Sequence, residues 1–156
     1  MRMVLATAMA LALAGGAQAA DGGKFVSFQG LWRLNVAETR YPAGIAITGN
    51  DMNVTKDDGA VLQYSETVTM DGKATTQTFD GAYDGKPRPI DQGQTLAFRH
   101  ISATTYGAVR HNADGKVTER SACAISADGK KMTCRVSAYP PGAKPVKFIE
   151  VFDKAE

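Results

Sequence analysis

One histidine and three glutamates stand out as residues whose type and spacing suit chemistry. His100 follows Leu96 and Phe98 at alternate positions. On a strand it shares their face, because successive side chains alternate sides. An imidazole changes charge near neutral pH, so an inward His100 could hold a polar ligand group or move a proton. Glu66 alternates with Leu62, Tyr64 and Val68, Glu119 with Val117 and Cys123, and Glu150 with Phe148 and Phe152. A carboxylate on an apolar face needs a partner or solvent. His100 with one such glutamate would form a general acid–base pair. The plainer alternatives are a core or rim histidine with a satisfied hydrogen bond, and acids that reach water at bulges or strand ends. Arg99, Arg110, Arg120 and Arg135 are near in sequence, but parity favours the opposite face for them.

Other chemistries find little support. With a turn at Ala103-Thr104, His100 sits opposite Gly107, and His111 lies about 13 Å further along at about 3.4 Å per residue. A one-residue shift points the two histidines to opposite faces. Neither arrangement makes a shared metal site, whose ligand atoms lie about 2 Å from the ion. No Gly-x-Ser-x-Gly elbow and no phosphate-binding glycine loop is present. No metal and no cofactor is expected. Lys86-Pro87-Arg88-Pro89 forms the one conspicuous loop, stiffened by its prolines. Lys86 and Arg88 could attract an anion at a rim, or the segment could be a plain crossover.

The elements that would position these residues are strands. From Gly30-Leu31-Trp32-Arg33-Leu34-Asn35 onward, Trp32, Leu34 and Val36 alternate with Arg33 and Asn35, the period of a strand with one buried face. Past residue 50 come six Asp-Gly dipeptides, at Asp58, Asp71, Asp80, Asp84, Asp114 and Asp128. Glycine accepts the positive φ of a hairpin turn and Asp bonds its own backbone, so each dipeptide predicts a turn. The runs between them are short and rich in Val, Thr and aromatic residues. No long stretch carries a helical period with caps. The pattern predicts an all-β antiparallel up-and-down meander of eight to ten strands. Closure into a barrel removes the edges that such a meander exposes, and Trp32 would plug one end. A β-sandwich is the alternative.

Residues 1–20 have a different character. Met1-Arg2 is a basic start, Val4–Ala14 an apolar or small run, and Ala17-Gln18-Ala19 a small-x-small site. This is the pattern of a secretory signal peptide, too short in its apolar run to span a bilayer. The expected division is a signal peptide over 1–20 and a single β-barrel domain over 21–156, placed in the periplasm or secreted. No membrane span is expected. The chain carries 18 basic and 16 acidic residues, a net charge of +2. Near neutrality and without a run of Lys and Arg, it lacks the basic stripe of a nucleic-acid binder. Oligomeric state is not legible. The two cysteines predict one disulfide in an oxidising compartment, Cys123–Cys134. If Asp128-Gly129 is a two-residue hairpin loop, Cys123 faces Cys134 and Ile125 faces Met132. If Gly129 closes a three-residue loop with a bulge, the cysteines point to opposite faces and two buried thiols result.

Gly30-x-Trp32 resembles the G-x-W that opens the first strand of lipocalin-type barrels. Tyr83-Asp84-Gly85-Lys86 with Pro89, Ser126-Ala127-Asp128-Gly129-Lys130-Lys131-Met132-Thr133 and Val151-Phe152-Asp153-Lys154 extend the likeness. Together they resemble small secreted bacterial lipocalin-like (calycin-type) β-barrel proteins, mostly without assigned activity. The resemblance implies a barrel and export, and carries over no catalytic residue. Lipocalins also show a Thr-Asp-Tyr turn, which is missing here, and a late Arg over the Trp, for which Arg135 and Arg120 are the candidates. Three functions follow as expectations. The first is a binding protein holding a small, partly apolar ligand, with Trp32, Phe98, His100, Lys86 and Arg88 as ligand-binding residues. The second is a small barrel enzyme, an isomerase, cyclase or lyase, using His100 with Glu66, Glu119 or Glu150. The third is an envelope or inhibitor protein acting through its surface.

Overall fold

The computed structural model describes residues 25–155. The signal peptide expected over residues 1–20 lies outside the described residues. The alternating pattern produces ten antiparallel strands, β1 (Gly30–Leu34), β2 (Ile47–Asp57), β3 (Val61–Met70), β4 (Lys73–Ala82), β5 (Arg88–Pro89), β6 (Thr95–Ser102), β7 (Thr105–His111), β8 (Val117–Ile125), β9 (Lys131–Ala138) and β10 (Val146–Lys154). They form one sheet in the order β4-β3-β2-β1-β10-β9-β8-β7-β6-β5. Every strand pairs with its sequence neighbour except at one place, where β1 pairs with β10 and β4 does not pair with β5. The result is a nearly closed up-and-down barrel with its seam between β4 and β5. Among the described residues no helix is long and apolar enough to cross a membrane.

The seam is stitched by the segment that crosses it. The Tyr83 N–H donates to the Ala60 carbonyl at 3.1 Å, and the Gly85 N–H to the Phe98 carbonyl at 2.8 Å. Asp84 pairs with Arg99 as an isolated bridge. Five of the six Asp-Gly dipeptides are turns with glycine at positive φ. Asp80-Gly81 is not: it continues β4, and its glycine serves the seam. A Cβ at Gly81 would stand 2.3 Å from Arg88 Cδ. The Arg88 stem therefore lies against the bare backbone of β4, and its guanidinium is held by Asp84 at 2.8 Å.

One end of the barrel is plugged. Residues 25–29 cross it, and Phe28 is buried with Trp32 (1% and 0% exposed). The Trp32 indole N–H donates to the Phe28 carbonyl at 2.6 Å. Buried Asp57 ties plug to wall, accepting from the Phe28 N–H at 2.5 Å and the Tyr83 hydroxyl at 3.0 Å. The cation over the Trp32 ring is neither Arg135 nor Arg120. It is Lys154, Trp32's cross-strand partner on β10, with Nζ 5.3 Å from the ring centroid. Its stem also fills the space beside Gly30, where a Cβ would stand 2.7 Å from Lys154 Cε.

Cys123 and Cys134 are disulfide-bonded and directly opposed on β8 and β9, with Ile125 opposite Met132. This is the register that aligns the cysteines, but the turn is wider than two residues. Ser126 and Lys131 close it by a 2.8 Å backbone bond. The β6–β7 register differs by one from the expected pairing: His100 opposes Tyr106, not Gly107, and a bulge separates His100 from Ser102.

Candidate functional site

The lumen encloses a cavity of about 250 Å³ on the side of the plug's far end. Its lower wall is aromatic and aliphatic. Tyr64, Phe98 and Tyr106 line it and, with Phe79 behind them, meet edge to face or offset, with centroids 4.7–5.9 Å apart, the arrangement ring quadrupoles favour. The disulfide, Met52, Leu96, Val136, Phe148 and Phe152 add to the apolar lining.

The other end of the cavity is polar, and all three glutamates are in it. Glu66, Glu119 and Glu150 line the lumen together with Arg110, Gln77 and Asn50. Expected parity put Arg110 outside. The structure puts it inside because it follows Tyr106 and Ala108 at alternate positions, both buried, and pairs across β7–β8 with Glu119. Arg110 Nη1 donates to Gln77 Oε1 at 2.8 Å. Gln77 Nε2 in turn donates to Glu66 Oε2, and Asn50 Nδ2 donates to Glu66 Oε1 at 2.8 Å. This chain links β7, β4, β3 and β2, so it braces the seam end that backbone bonds leave open.

Glu150 is held differently. The loop after β1 runs alongside β10, where the Arg40 N–H donates to the Ile149 carbonyl at 2.8 Å and the Ile149 N–H donates back at 3.3 Å. That bridge delivers Tyr41, whose hydroxyl donates to Glu150 Oε1 at 2.7 Å. Removal from water pushes the Glu150 carboxyl up to about 7, against the Tyr41 bond and with help from the Glu66 and Glu119 charges. Burial also raises Glu119, only partly offset by Arg110. Tyr41 is pushed far above a normal phenol, by burial first and by Glu150 second. The lumen thus holds one carboxyl, Glu150, poised to carry a proton near neutral pH, and a second, Glu119, shifted in the same direction. Among the described residues no group of three or more His, Cys, Asp or Glu could hold a metal ion.

The remaining candidates lie elsewhere. Phe98 lines the cavity, whereas His100 and Trp32 do not. His100 belongs to the plugged end, where its Nε2 meets the Gly59 carbonyl at 3.0 Å and its ring packs on Tyr83 with centroids 3.9 Å apart. It makes no contact with the glutamates. Lys86 and Arg88 sit on the outer crossover, with Arg88 engaged by Asp84. Sequence reasoning missed Arg110, Asn50, Gln77 and Tyr41. The alternation Tyr106-x-Ala108-x-Arg110 carried the signal for the first. The other three needed register or a loop path that no local pattern encodes.

No protein-family model matches the chain, and no curated protein matches it.

Proposed function

We propose that this is an exported binding protein that holds a small, partly apolar ligand in its barrel lumen. The observation that carries the reading is the cavity itself, walled by aromatic rings at one end and by a few converging polar groups at the other. That combination is the usual character of a small-molecule site. At about 250 Å³ it is smaller than the pockets of about 300–1,000 Å³ that take drug-sized molecules, so the ligand is compact. The lipocalin-like resemblance of Gly30-x-Trp32 agrees with this reading. The basic-apolar-small pattern of residues 1–20 and the disulfide agree with export to the periplasm or beyond. The test is native mass spectrometry of protein purified from its own exported fraction. A small molecule released on unfolding is the expected result. A chain that carries nothing and takes up no probe would refute the reading.

A second reading is an acid–base enzyme, favoured by the elevated Glu150 beside Glu119 and Tyr41 in one lumen. Raised carboxyls in a cavity are common catalytic acids. In that case Glu150 and Glu119 would carry the chemistry, not His100. Turnover of a carbonyl or alkene probe, abolished in Glu150→Gln, would separate this reading from binding alone.

A further inference from the structure

The polar end of the lumen has an imbalance of hydrogen-bonding character that fixes the sort of ligand it suits. Arginine can only donate. Arg110 therefore requires the oxygen of Gln77 to face it, which turns the Gln77 nitrogen to Glu66. With one Glu66 oxygen so occupied, the other takes the Asn50 nitrogen. Each amide orientation follows from the one before, starting from a group with no alternative. The chain ends on Asn50 Oδ1. Asn50 is only 4% exposed, lines the cavity, and its Oδ1 has no donor among the described residues. Buried acceptors of this kind are rare and ask for a partner.

The neighbouring groups are acceptors too. Among the described residues Glu119 has charges around it but no hydrogen-bond donor, and Glu150 uses one oxygen on Tyr41 and leaves the second. Against three carboxyl groups, two of them raised by burial, the cavity lining offers one cation, Arg110, and Arg110 is already engaged with Gln77 and, at 3.5 Å, with Gln94. The deficit is in donors and in positive charge. The aromatic wall below supplies a face for an apolar group, and ring faces also attract cations.

We propose that the lumen binds an organic amine as its ammonium ion, with the N–H groups directed at Glu119 and Glu150, beside the unpaired Asn50 Oδ1, and the apolar part against Phe98 and Tyr64. This rests on the binding-protein reading and names its ligand class. A primary amine supplies three donors and one positive charge, which matches both deficits. An alcohol supplies one donor and no charge. A carboxylate supplies neither and meets the acidic end of the lumen.

The test is calorimetric titration of the mature, oxidised protein at pH 7.5 with three probes of matched size, 2-phenylethylamine, 2-phenylethanol and phenylacetate. The amine should bind at least tenfold tighter than the alcohol, and phenylacetate weakest. Glu119→Gln keeps the shape and breaks no hydrogen bond among the described residues, so it should narrow the amine–alcohol gap at least fivefold. Glu150→Gln serves as the second variant, with the same expected direction. An alcohol or phenylacetate that binds as tightly as the amine, or a gap unchanged in both variants, overturns the ammonium site and leaves the binding protein standing. Failure of all three probes, with no small molecule released from the native protein, overturns the binding reading and the ammonium site together.

Discussion

Glu150→Gln should make the protein more stable at pH 8 and stabilise it much less at pH 5. The Glu150 carboxyl rises from an ordinary value of 4.5 to about 7 in the folded barrel. Folding therefore favours the protonated form. Below about pH 4.5 both states hold the proton and Glu150 costs nothing through ionisation. Between the two values the unfolded chain releases the proton and the folded one keeps it, so stability falls as pH rises. Above about pH 7 the full cost is present. At about 1.36 kcal/mol per pH unit of separation the cost comes to about 3 kcal/mol. Glutamine removes it, while its carbonyl still accepts the Tyr41 hydroxyl. The groups facing Glu150 are Tyr41 from the loop after β1, Glu66 from β3, and Glu119 from β8, with Arg110 beside Glu119. Glu66 and Glu119 repel its charge, so part of the gain in the variant is relief felt by them. Guanidinium unfolding of both proteins at pH 5, 6, 7 and 8, with the disulfide intact, reads the difference directly. A difference that is flat across this range, or one that favours the wild type at pH 8, would refute the claim that Glu150 is strained by its own charge.

Replacing both Cys123 and Cys134 by Ser frees a loop of 11 residues' separation, and chain entropy puts the loss at about 3 kcal/mol; matched denaturation curves check it. Trp32→Phe leaves the Phe28 carbonyl without its buried donor and should cost about 2–4 kcal/mol from the lost bond and the lost volume, with protease access to residues 25–29 as a second readout. Gly81→Val drives a branched side chain into the Arg88 stem and the Phe79 ring, and should cost about 1–3 kcal/mol as overpacking does. Amide exchange should quicken at the Gly85 and Tyr83 bonds across the seam. His100→Ala should leave ligand affinity within about twofold, since His100 lies outside the cavity. A loss of about a hundredfold would instead place His100 in the machinery.

The barrel was legible because two local signals agree. Alternation marks which residues face in, and Asp-Gly marks where the chain reverses. Both depend on neighbours in sequence. Asp80-Gly81 shows the limit: the same dipeptide serves a strand when the reason for its glycine is a side chain arriving from β5. The three inward glutamates were legible from alternation alone. Their partners were not, because parity gives the face of a residue but not what stands opposite. Arg110 meets Glu119 only through a β7–β8 register that contains a bulge at His111. The plug was equally hidden. Phe28 sits in a short run with no period, and what buries it comes from Asp57, Tyr106 and Trp32, residues spread along most of the chain.

The pairing of β1 with β10 also orders events in time. Ribosomes release the chain from its amino end, and β1, though it can pair with β2 early, cannot find its second partner until the final strand has emerged. The meander from β2 to β4 and the hairpin that carries the disulfide use only nearby sequence, so both can be assembled early. The wall of the barrel cannot. Its first and last strands must meet across nearly the whole chain, a contact of the slowest entropic kind. Until they do, Trp32 lacks Lys154, and the lumen stays open along one side. Closure of the wall is thus the last step of assembly, whatever the hairpins have done before it.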